Sequence, residues 1–250
     1  MVETVAIAST GDDLSTIFGT IWTASTTALE QPDSRTMLIA LAISLILILL
    51  RPLWRIARNV ITIAHEGGHA VAALLTGRRL SGIQLHSDTS GLTVSYGKTR
   101  GFGFWLTCFS GYLAPMLWGL GCAALVSSGY ATGALWLLVL LLALMLTRIR
   151  NIYGAFCIIS VLATVIALSW WGSPPLRLLS ATSLAFFLQL GSIRPLLELQ
   201  SQRAKGQAGR SDADQLAQLT RIPALAWIIL WSVLAFLGIA LSASWMGLRI

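Results

Sequence analysis

The sequence predicts an all-α polytopic membrane protein with about seven transmembrane helices and one small β-hairpin. Hydrophobic residues make up 56% of its 250 residues and charged residues only 11%, whereas soluble domains average about 25% charged residues. Several apolar runs approach the length of about 20 residues that a helix needs to cross a bilayer. One polar stretch between two of these runs alternates apolar and polar residues, as hairpin strands do.

The apolar runs divide the chain into seven predicted membrane spans. A mixed N-terminal segment, residues 1–35, is expected to lie at the interface, and residues 36–250 are expected to form a single membrane-embedded domain. No basic region precedes an apolar core near the N-terminus, so we expect no cleavable signal peptide. The predicted spans are 36–50, 57–76, 103–127, 132–147, 152–171, 176–190 and 222–245.

Two polar stretches interrupt the spans. Residues 80–97 contain "GIQLH" and "GLTVSYG" around the turn "SDTSG", which predicts a β-hairpin. Unpaired backbone groups are costly in lipid, so we expect the hairpin at the surface or packed within the helical bundle. Residues 191–221 form the longest polar connection, and Ser211 is a natural N-cap for a helix that begins in "SDADQLAQL".

The net charge of +7 does not indicate nucleic-acid binding, because the basic residues flank the apolar runs singly or in small groups. The predicted topology places 12 of the 17 Lys and Arg residues on the side of loops 78–101, 148–151 and 191–221. That side is therefore expected to be cytoplasmic. The arginines within 51–58 are predicted on the other side and conflict locally with this rule. The three cysteines lie far apart in apolar segments, which favours small buried side chains over disulfides.

The segment "ITIAHEGGHAVAALLTG" (61–77) carries ionisable residues in the middle of an apolar run. His65 and His69 are four residues apart, so on a helix they lie on one face and can bind one cation. Glu66 projects about 100° away around the helix axis, where it can reach a water molecule on the metal without binding the metal. Two imidazoles on zinc, with a carboxylate as general base, are the HExxH arrangement.

Structural packing is the alternative explanation for these three polar residues. An ionisable side chain at membrane depth costs about 3 kcal/mol on insertion scales, so three within five positions need compensating partners. A bound cation supplies this compensation. Packing alone would need several other buried polar side chains, and the sequence offers few. The sequence therefore favours a metal site at His65 and His69.

A hydrolytic zinc site usually takes a third protein ligand and leaves one position for water. His86 and Asp88 lie in the predicted hairpin turn, where a polar turn explains them, and Glu198 is expected to face water. Asp212 and Asp214 lie in the first turn of the last polar helix, where acidic side chains also interact favourably with the helix dipole. Both are predicted on the same side of the membrane as the hairpin, so either is able to reach the metal.

At these residues the chain resembles the site-2 protease family, the intramembrane zinc metalloproteases. "AHEGGHAVAALLTGRR" (64–79) is similar to the family's HExxH helix, and the hairpin after it resembles the family's membrane-associated β-element. "FSGYLAPMLWG" (109–119) is similar to the glycine- and proline-containing segment that follows in those enzymes. "SDADQLAQLTRIPALAW" (211–227) resembles a distal stretch of a bacterial branch of small peptidase-like membrane proteins.

The resemblance implies a zinc site made by His65, His69 and Asp212, with Asp214 as the second choice for the third ligand. The family's usual third ligand is an aspartate in a Leu-Asp-Gly motif, which this sequence lacks. The resemblance therefore assigns the role to the "SDA" stretch. The helix equivalent to the one that carries that motif offers Asn151 as its polar residue, which we predict to bind the substrate or the tetrahedral oxyanion.

The implied function is that of an intramembrane zinc metalloendopeptidase, which hydrolyses a peptide bond of a membrane-spanning substrate near the cytoplasmic side. Glu66 would be the general base, and the hairpin would hold the unwound substrate by strand addition. By analogy with the family, the substrate is a membrane-bound regulator such as an anti-sigma factor, cleaved in regulated intramembrane proteolysis. The other expected partner is the lipid bilayer, and the expected location is the bacterial inner membrane.

Two other functions stay open. A catalytically inactive zinc-binding membrane scaffold or regulator would keep the metal ligands without turnover. A transporter or channel is less favoured, because the sequence shows no pair of matched, interrupted spans.

Overall fold

The computed structural model describes residues 13–28, 31–206 and 211–247. Within these ranges the chain forms ten α-helices and a two-stranded sheet. The prediction about a signal peptide concerns N-terminal residues that lie partly outside these ranges. The middle of the polar connection 191–221 also lies partly outside them. The elements are α1 (Leu14–Thr26), α2 (Ser34–Leu49), α3 (Arg51–Leu75), β1 (Arg79–Leu85), β2 (Gly91–Tyr96), α4 (Phe102–Ser127), α5 (Ala131–Leu146), α6 (Ile152–Trp171), α7 (Pro174–Gly191), α8 (Ile193–Ala204), α9 (Asp212–Thr220) and α10 (Ala224–Trp245).

Each of the seven predicted spans corresponds to a helix, but the count of seven membrane crossings is not confirmed. Among the described residues, α4, α6, the continuous α7–α8 segment and α10 are long and apolar enough to cross a membrane. Helices α2 and α3 qualify together as a fifth span, with a bend of 102° between them. Helices α2 and α5 have 16 residues each, or about 24 Å of helix against a hydrocarbon core of about 30 Å. The chain is an integral membrane protein with four or five candidate spans.

The bend between α2 and α3 lies at Leu50 and Arg51. Leu50 has an extended backbone with φ −78° and ψ 112°, and Pro52 follows in the first turn of α3. Proline fits that position because the first N–H groups of a helix have no partner within the helix. The carbonyl of Ile48, near the end of α2, accepts a hydrogen bond from Arg194 of α8. The extended backbone of Leu50 and the hydrogen bond from Arg194 of α8 therefore both stabilise the bend.

The predicted hairpin is confirmed, over Arg79–Leu85 and Gly91–Tyr96. The strands are antiparallel, with Ile83 opposite Thr93 and a bulge between Leu80 and Gly82. On the outer side of β1, Ile83 exchanges backbone hydrogen bonds of 2.9 Å with Arg148 and Arg150. One edge of the hairpin is therefore covered by the connection between α5 and α6.

The hairpin lies along α3 rather than away from the bundle. Near its turn, Thr62 of α3 donates to the carbonyl of Thr89 at 2.8 Å. At its open end, Arg78 donates to the carbonyl of Lys98 at 2.6 Å. Its inner residue Ile83 is only 1% exposed, as expected for a small sheet that is packed within the helical bundle.

The predicted position of Arg58, on the side of the bundle away from loop 78–101, is wrong, because Arg58 contacts the turn of the hairpin. Arg58 Nη2 lies 3.2 Å from Glu198 Oε2 in α8, and Arg58 Nη1 donates to Thr89 in the hairpin turn at 2.9 Å. The opposite end holds the start of α2, because Gln31 donates to the carbonyl of Ser127, the last residue of α4. The bend explains the difference, since α3 does not continue the direction of α2.

Arg58 therefore lies on the side of the loops that carry most of the Lys and Arg residues. Arg148 and Arg150 border β1 of the hairpin, and Arg203 of α8 pairs with Asp214 of α9. An excess of basic residues on one side is typical of the cytoplasmic face. We therefore expect the hairpin end to face the cytoplasm.

Candidate metal centre

Two imidazoles of α3 form the first part of the site. The rings of His65 and His69 lie edge to face with their centroids 4.7 Å apart, as the four-residue spacing predicts. His69 Nδ1 lies 2.6 Å from the carbonyl oxygen of Thr107 in α4. A carbonyl accepts and cannot donate, so Nδ1 carries the hydrogen and Nε2 of the neutral ring is left as a possible ligand. Such backbone contacts orient metal-binding histidines.

Helix α4 comes very close to these rings through a glycine. A Cβ atom at Gly111 would lie 2.5 Å from His69 Nε2 and 2.7 Å from His65 Nε2. On the other helix, a Cβ at Gly68 would lie 2.9 Å from the carbonyl oxygen of Ser110. Glycine on both helices therefore allows the close packing that puts α4 directly behind the imidazoles.

The third group of the cluster is a carboxylate, which comes from α9. Asp212 Oδ2 lies 3.2 Å from His65 Nε2 and 3.3 Å from His69 Nε2, and the two Nε2 atoms are 3.1 Å apart. Burial raises the pKa of Asp212, but the neighbouring His69 and His65 outweigh this effect and hold the pKa below its usual range. The carboxylate is therefore ionised, as a metal ligand requires.

These three groups fit a zinc ion. Zinc ligand atoms at about 2.0–2.1 Å in a tetrahedral arrangement lie about 3.3 Å from one another, close to the three observed separations. Within the described residues, this is the group of His, Cys, Asp and Glu side chains that could hold a metal ion. Three protein ligands leave the fourth tetrahedral position for water or substrate.

Local structure decides which aspartate of α9 approaches the imidazoles. Ser211 is the N-cap of α9, and Asp214 is its partner in a capping box, with its Oδ2 accepting from Ser211 N at 3.1 Å. Asp214 also forms an ion pair with Arg203 of α8. Buried Leu216 fixes the other face of the short helix in the core. Asp214, the second choice from the sequence, therefore lies away from the ligand cluster, and Asp212 lies in it.

Glu66 is buried beside the cluster and faces the hairpin. Its side chain is 3% exposed, and its Oε2 accepts a hydrogen bond from Thr93 Oγ1 at 2.6 Å. A Cβ atom at Gly91 would overlap the carboxylate of Glu66. The sequence motif identified Glu66, but Thr93, Gly91 and Gly111 were missed. The alternation of small residues on β2 was the available signal for the first two.

Asn151 lies at the hairpin and outside the ligand cluster. Its Oδ1 accepts from the backbone N–H of Leu85 at 3.2 Å, and its Nδ2 donates to the carbonyl of Leu85 at 2.6 Å. In this structure Asn151 therefore fastens β1 to the start of α6. Its predicted role in binding substrate or an oxyanion stays a prediction.

The other acidic and histidine candidates have local partners. Asp88 accepts from Ser90 N at 2.9 Å within the hairpin turn, and His86 lies in the same turn. Glu198 does not simply face water as expected, because it also accepts from the indole of Trp54 at 3.2 Å. Its ion pairs with arginines connect α8 to α3.

A protein-family model described as Peptidase M50B-like matches residues 38–242. No curated protein and no solved structure matches the chain. The matched region begins in α2, ends in α10 and includes the hairpin, His65, His69 and Asp212. Because the match covers most of the sequence, the chain belongs to the Peptidase M50B-like family, and the resemblance to site-2 proteases is confirmed.

Proposed function

We propose that the protein is an intramembrane zinc metalloendopeptidase, which hydrolyses a peptide bond of a membrane-spanning substrate near the cytoplasmic side. The observation that carries this proposal is the approach of His65, His69 and Asp212 to within 3.1–3.3 Å of one another, beside the buried carboxylate of Glu66. Membership of a peptidase family supports the same reaction type.

The residues at this site have two proposed roles, metal binding and general base catalysis. His65, His69 and Asp212 would hold the ion, and zinc in such a site supplies Lewis-acid activation of water and of a peptide carbonyl. Glu66 lies one residue beyond His65, on a different side of α3 from the ligand pair. Its carboxylate accepts the proton of the attacking water and can later pass it to the leaving amine.

The hairpin offers a place for an extended substrate. Among the described residues, β2 pairs with β1 and with no second strand, while β1 is covered by residues 148–150. A substrate segment that adds to β2 would gain backbone hydrogen bonds. Because Thr93 of β2 contacts Glu66, that segment would lie close to the general base.

The proposed substrate is a single membrane-spanning protein whose helix unwinds near the hairpin end of the bundle. The hairpin loop and the polar connection before α9 are rich in Lys and Arg, which supports a cytoplasmic orientation of that end. A membrane-bound regulator such as an anti-sigma factor fits this class by family analogy alone. The bacterial inner membrane is proposed on the same ground.

The decisive experiment compares wild type with Glu66→Gln in detergent, with fluorescently labelled unfolded casein as the probe. We expect both proteins to bind about one zinc. Glu66→Gln should lose cleavage by about 100-fold or more, because it removes the general base. Zinc binding without cleavage in the wild type would favour the inactive scaffold. Cleavage that survives Glu66→Gln would contradict the proposed mechanism.

A second assay tests the substrate class. The protein is reconstituted in vesicles with a tagged single-span protein that has a Gly–Pro pair near its cytoplasmic end. Helix-breaking residues lower the cost of unwinding, so we expect cleavage near the pair and weaker cleavage of an all-leucine control span. Equal cleavage outside the membrane segment would contradict an intramembrane site.

A further inference from the structure

The inner face of β2 is made of small and polar residues. Gly91, Thr93 and Ser95 alternate along the strand and therefore share one face. Thr93 contacts Glu66 of α3, and a Cβ atom at Gly91 would overlap the carboxylate of the same residue. This face of the hairpin is therefore turned to α3, and it covers the carboxylate of Glu66.

The contact between Thr93 and Glu66 is short and lies in a dry place. The distance from Thr93 Oγ1 to Glu66 Oε2 is 2.6 Å, and Glu66 is 3% exposed. A buried carboxylate oxygen without a donor is costly, and a hydrogen bond to a charged acceptor is stronger than one between neutral groups. Because Gly91 has no Cβ, the carboxylate of Glu66 occupies the space that a side chain at position 91 would fill. Thr93 Oγ1 also lies 3.2 Å from the backbone carbonyl oxygen of Glu66, so the hairpin contacts Glu66 through the Thr93 hydroxyl and through the close approach of Gly91.

We propose that Thr93 is a positioning residue for the general base. Its hydroxyl holds the carboxylate of Glu66 in one orientation, so that the carboxylate meets the attacking water without first having to reorient. This inference rests on the proposed function of Glu66. Because Thr93 belongs to β2, the strand proposed to receive the substrate, substrate binding and orientation of the base are linked through one side chain.

The kinetic test compares Thr93→Val and Thr93→Ser with wild type, again with labelled unfolded casein as the probe. Valine has nearly the shape of threonine and lacks the hydroxyl, so we expect kcat to fall about tenfold or more, since small misplacement of catalytic groups has effects of this size. KM and zinc content should stay within about twofold, because neither ligand nor strand is removed. Thr93→Ser keeps the hydroxyl and should restore most of kcat.

Thr62→Val is the matched control. Thr62 also joins α3 to the hairpin through a buried hydroxyl, which donates to the carbonyl of Thr89 at 2.8 Å, but this hydroxyl makes no hydrogen bond to the carboxylate of Glu66. We expect its kcat to stay near wild type. A wild-type kcat in Thr93→Val, or an equal loss in Thr62→Val or Thr93→Ser, would overturn the proposal, because hairpin packing alone would then account for the effect.

A measurement that needs no turnover separates this proposal from the proposed function. The midpoint of thermal unfolding is measured for Thr93→Val, Glu66→Ala and the double variant. If the two side chains hold each other, the shift of the double variant is smaller than the sum of the single shifts. Additive shifts would overturn the positioning role. A wild type without peptidase activity would instead refute the proposed function. The unfolding midpoints of the three variants would still test whether Thr93 and Glu66 interact.

Discussion

The two halves of the proposed metal site are built very differently. The imidazoles belong to α3, a helix of 25 residues that packs closely against α4 through Gly68 and Gly111. The carboxylate of Asp212 belongs to α9, a helix of nine residues that is joined to α8 by a polar connection. A long buried helix fixes its side chains by packing, whereas a short helix depends on its cap and on a few contacts. The imidazole half of the proposed site should therefore be the more rigid one, and the position of Asp212 should depend on the few contacts of α9.

The largest expected effect comes from the half of the site that α3 and α4 form, here called the bundle half. His69→Ala should reduce bound zinc from about one equivalent to near zero, because it removes a ligand that α4 holds in place. Zinc is measured by elemental analysis of the purified protein. His86→Ala changes the exposed histidine of the hairpin turn and should keep full zinc. Equal zinc in both variants would place the metal elsewhere.

The next effect tests the close approach of α4. Gly111→Ala puts a methyl group where the imidazole rings lie, so we expect the zinc affinity to fall about 100-fold, as a displaced ligand pair cannot keep tetrahedral geometry. Gly121→Ala is the control on the same helix, since its Cβ would have nothing within 4 Å. That variant should bind zinc normally and be more stable by about 1 kcal/mol. Competition with a chromophoric chelator measures the affinities.

A smaller effect is expected from the α9 half. Asp214→Ala removes the capping box and the ion pair with Arg203, and it should weaken zinc binding about tenfold, the size found when groups that orient ligands are lost. Asp212→Ala, which removes the ligand itself, should weaken binding further. If Asp214→Ala loses more zinc than Asp212→Ala in the same chelator competition, the assignment of the two aspartates is reversed.

The smallest effect concerns pH. Burial raises the pKa of Asp214, but the hydrogen bonds from Ser211 and Arg203 outweigh it and hold the pKa below its ordinary value. A carboxyl group with a lowered pKa stabilises the fold above its unfolded-state pKa of about 3.9 and loses this effect as pH falls through the lower folded-state value.

The unfolding midpoints of metal-free wild type and Asp214→Asn should therefore differ by a constant amount from pH 8 to pH 5, and converge below about pH 4. Metal-free protein is used because zinc binding has its own pH dependence. A difference that already disappears between pH 7 and pH 5 would mean that another group titrates.

The bundle half could be predicted from the sequence, because the information is local. The spacing of His65 and His69 determines that both rings share a face, and the apolar flanks identify the helix. The hairpin was predicted for the same reason, since alternation and turn residues are local signals. The seven membrane crossings are not confirmed, because α2 and α5 are short and α2 and α3 meet at a bend, where Arg194 of α8 contacts the carbonyl of Ile48.

The α9 half depends on tertiary structure, and the sequence left Asp212 and Asp214 unresolved. A partial signal was present, because Ser211 as N-cap and Asp214 three residues later form a capping box. The capping box engages the carboxylate of Asp214 and leaves the carboxylate of Asp212 available to a metal. The contact of Arg203 with Asp214 was not predictable, because the two lie on different helices. The same holds for Thr93, since only the docked hairpin brings it to Glu66.

The separation of the ligands along the chain has a consequence for biosynthesis. A ribosome completes α3 early, but two strands and five helices must follow before α9 emerges. Until then the histidines lack their carboxylate partner, so a nascent chain holds an immature site. The proposed hydrolytic activity would therefore arise only near the end of translation, when most of the bundle has already been inserted.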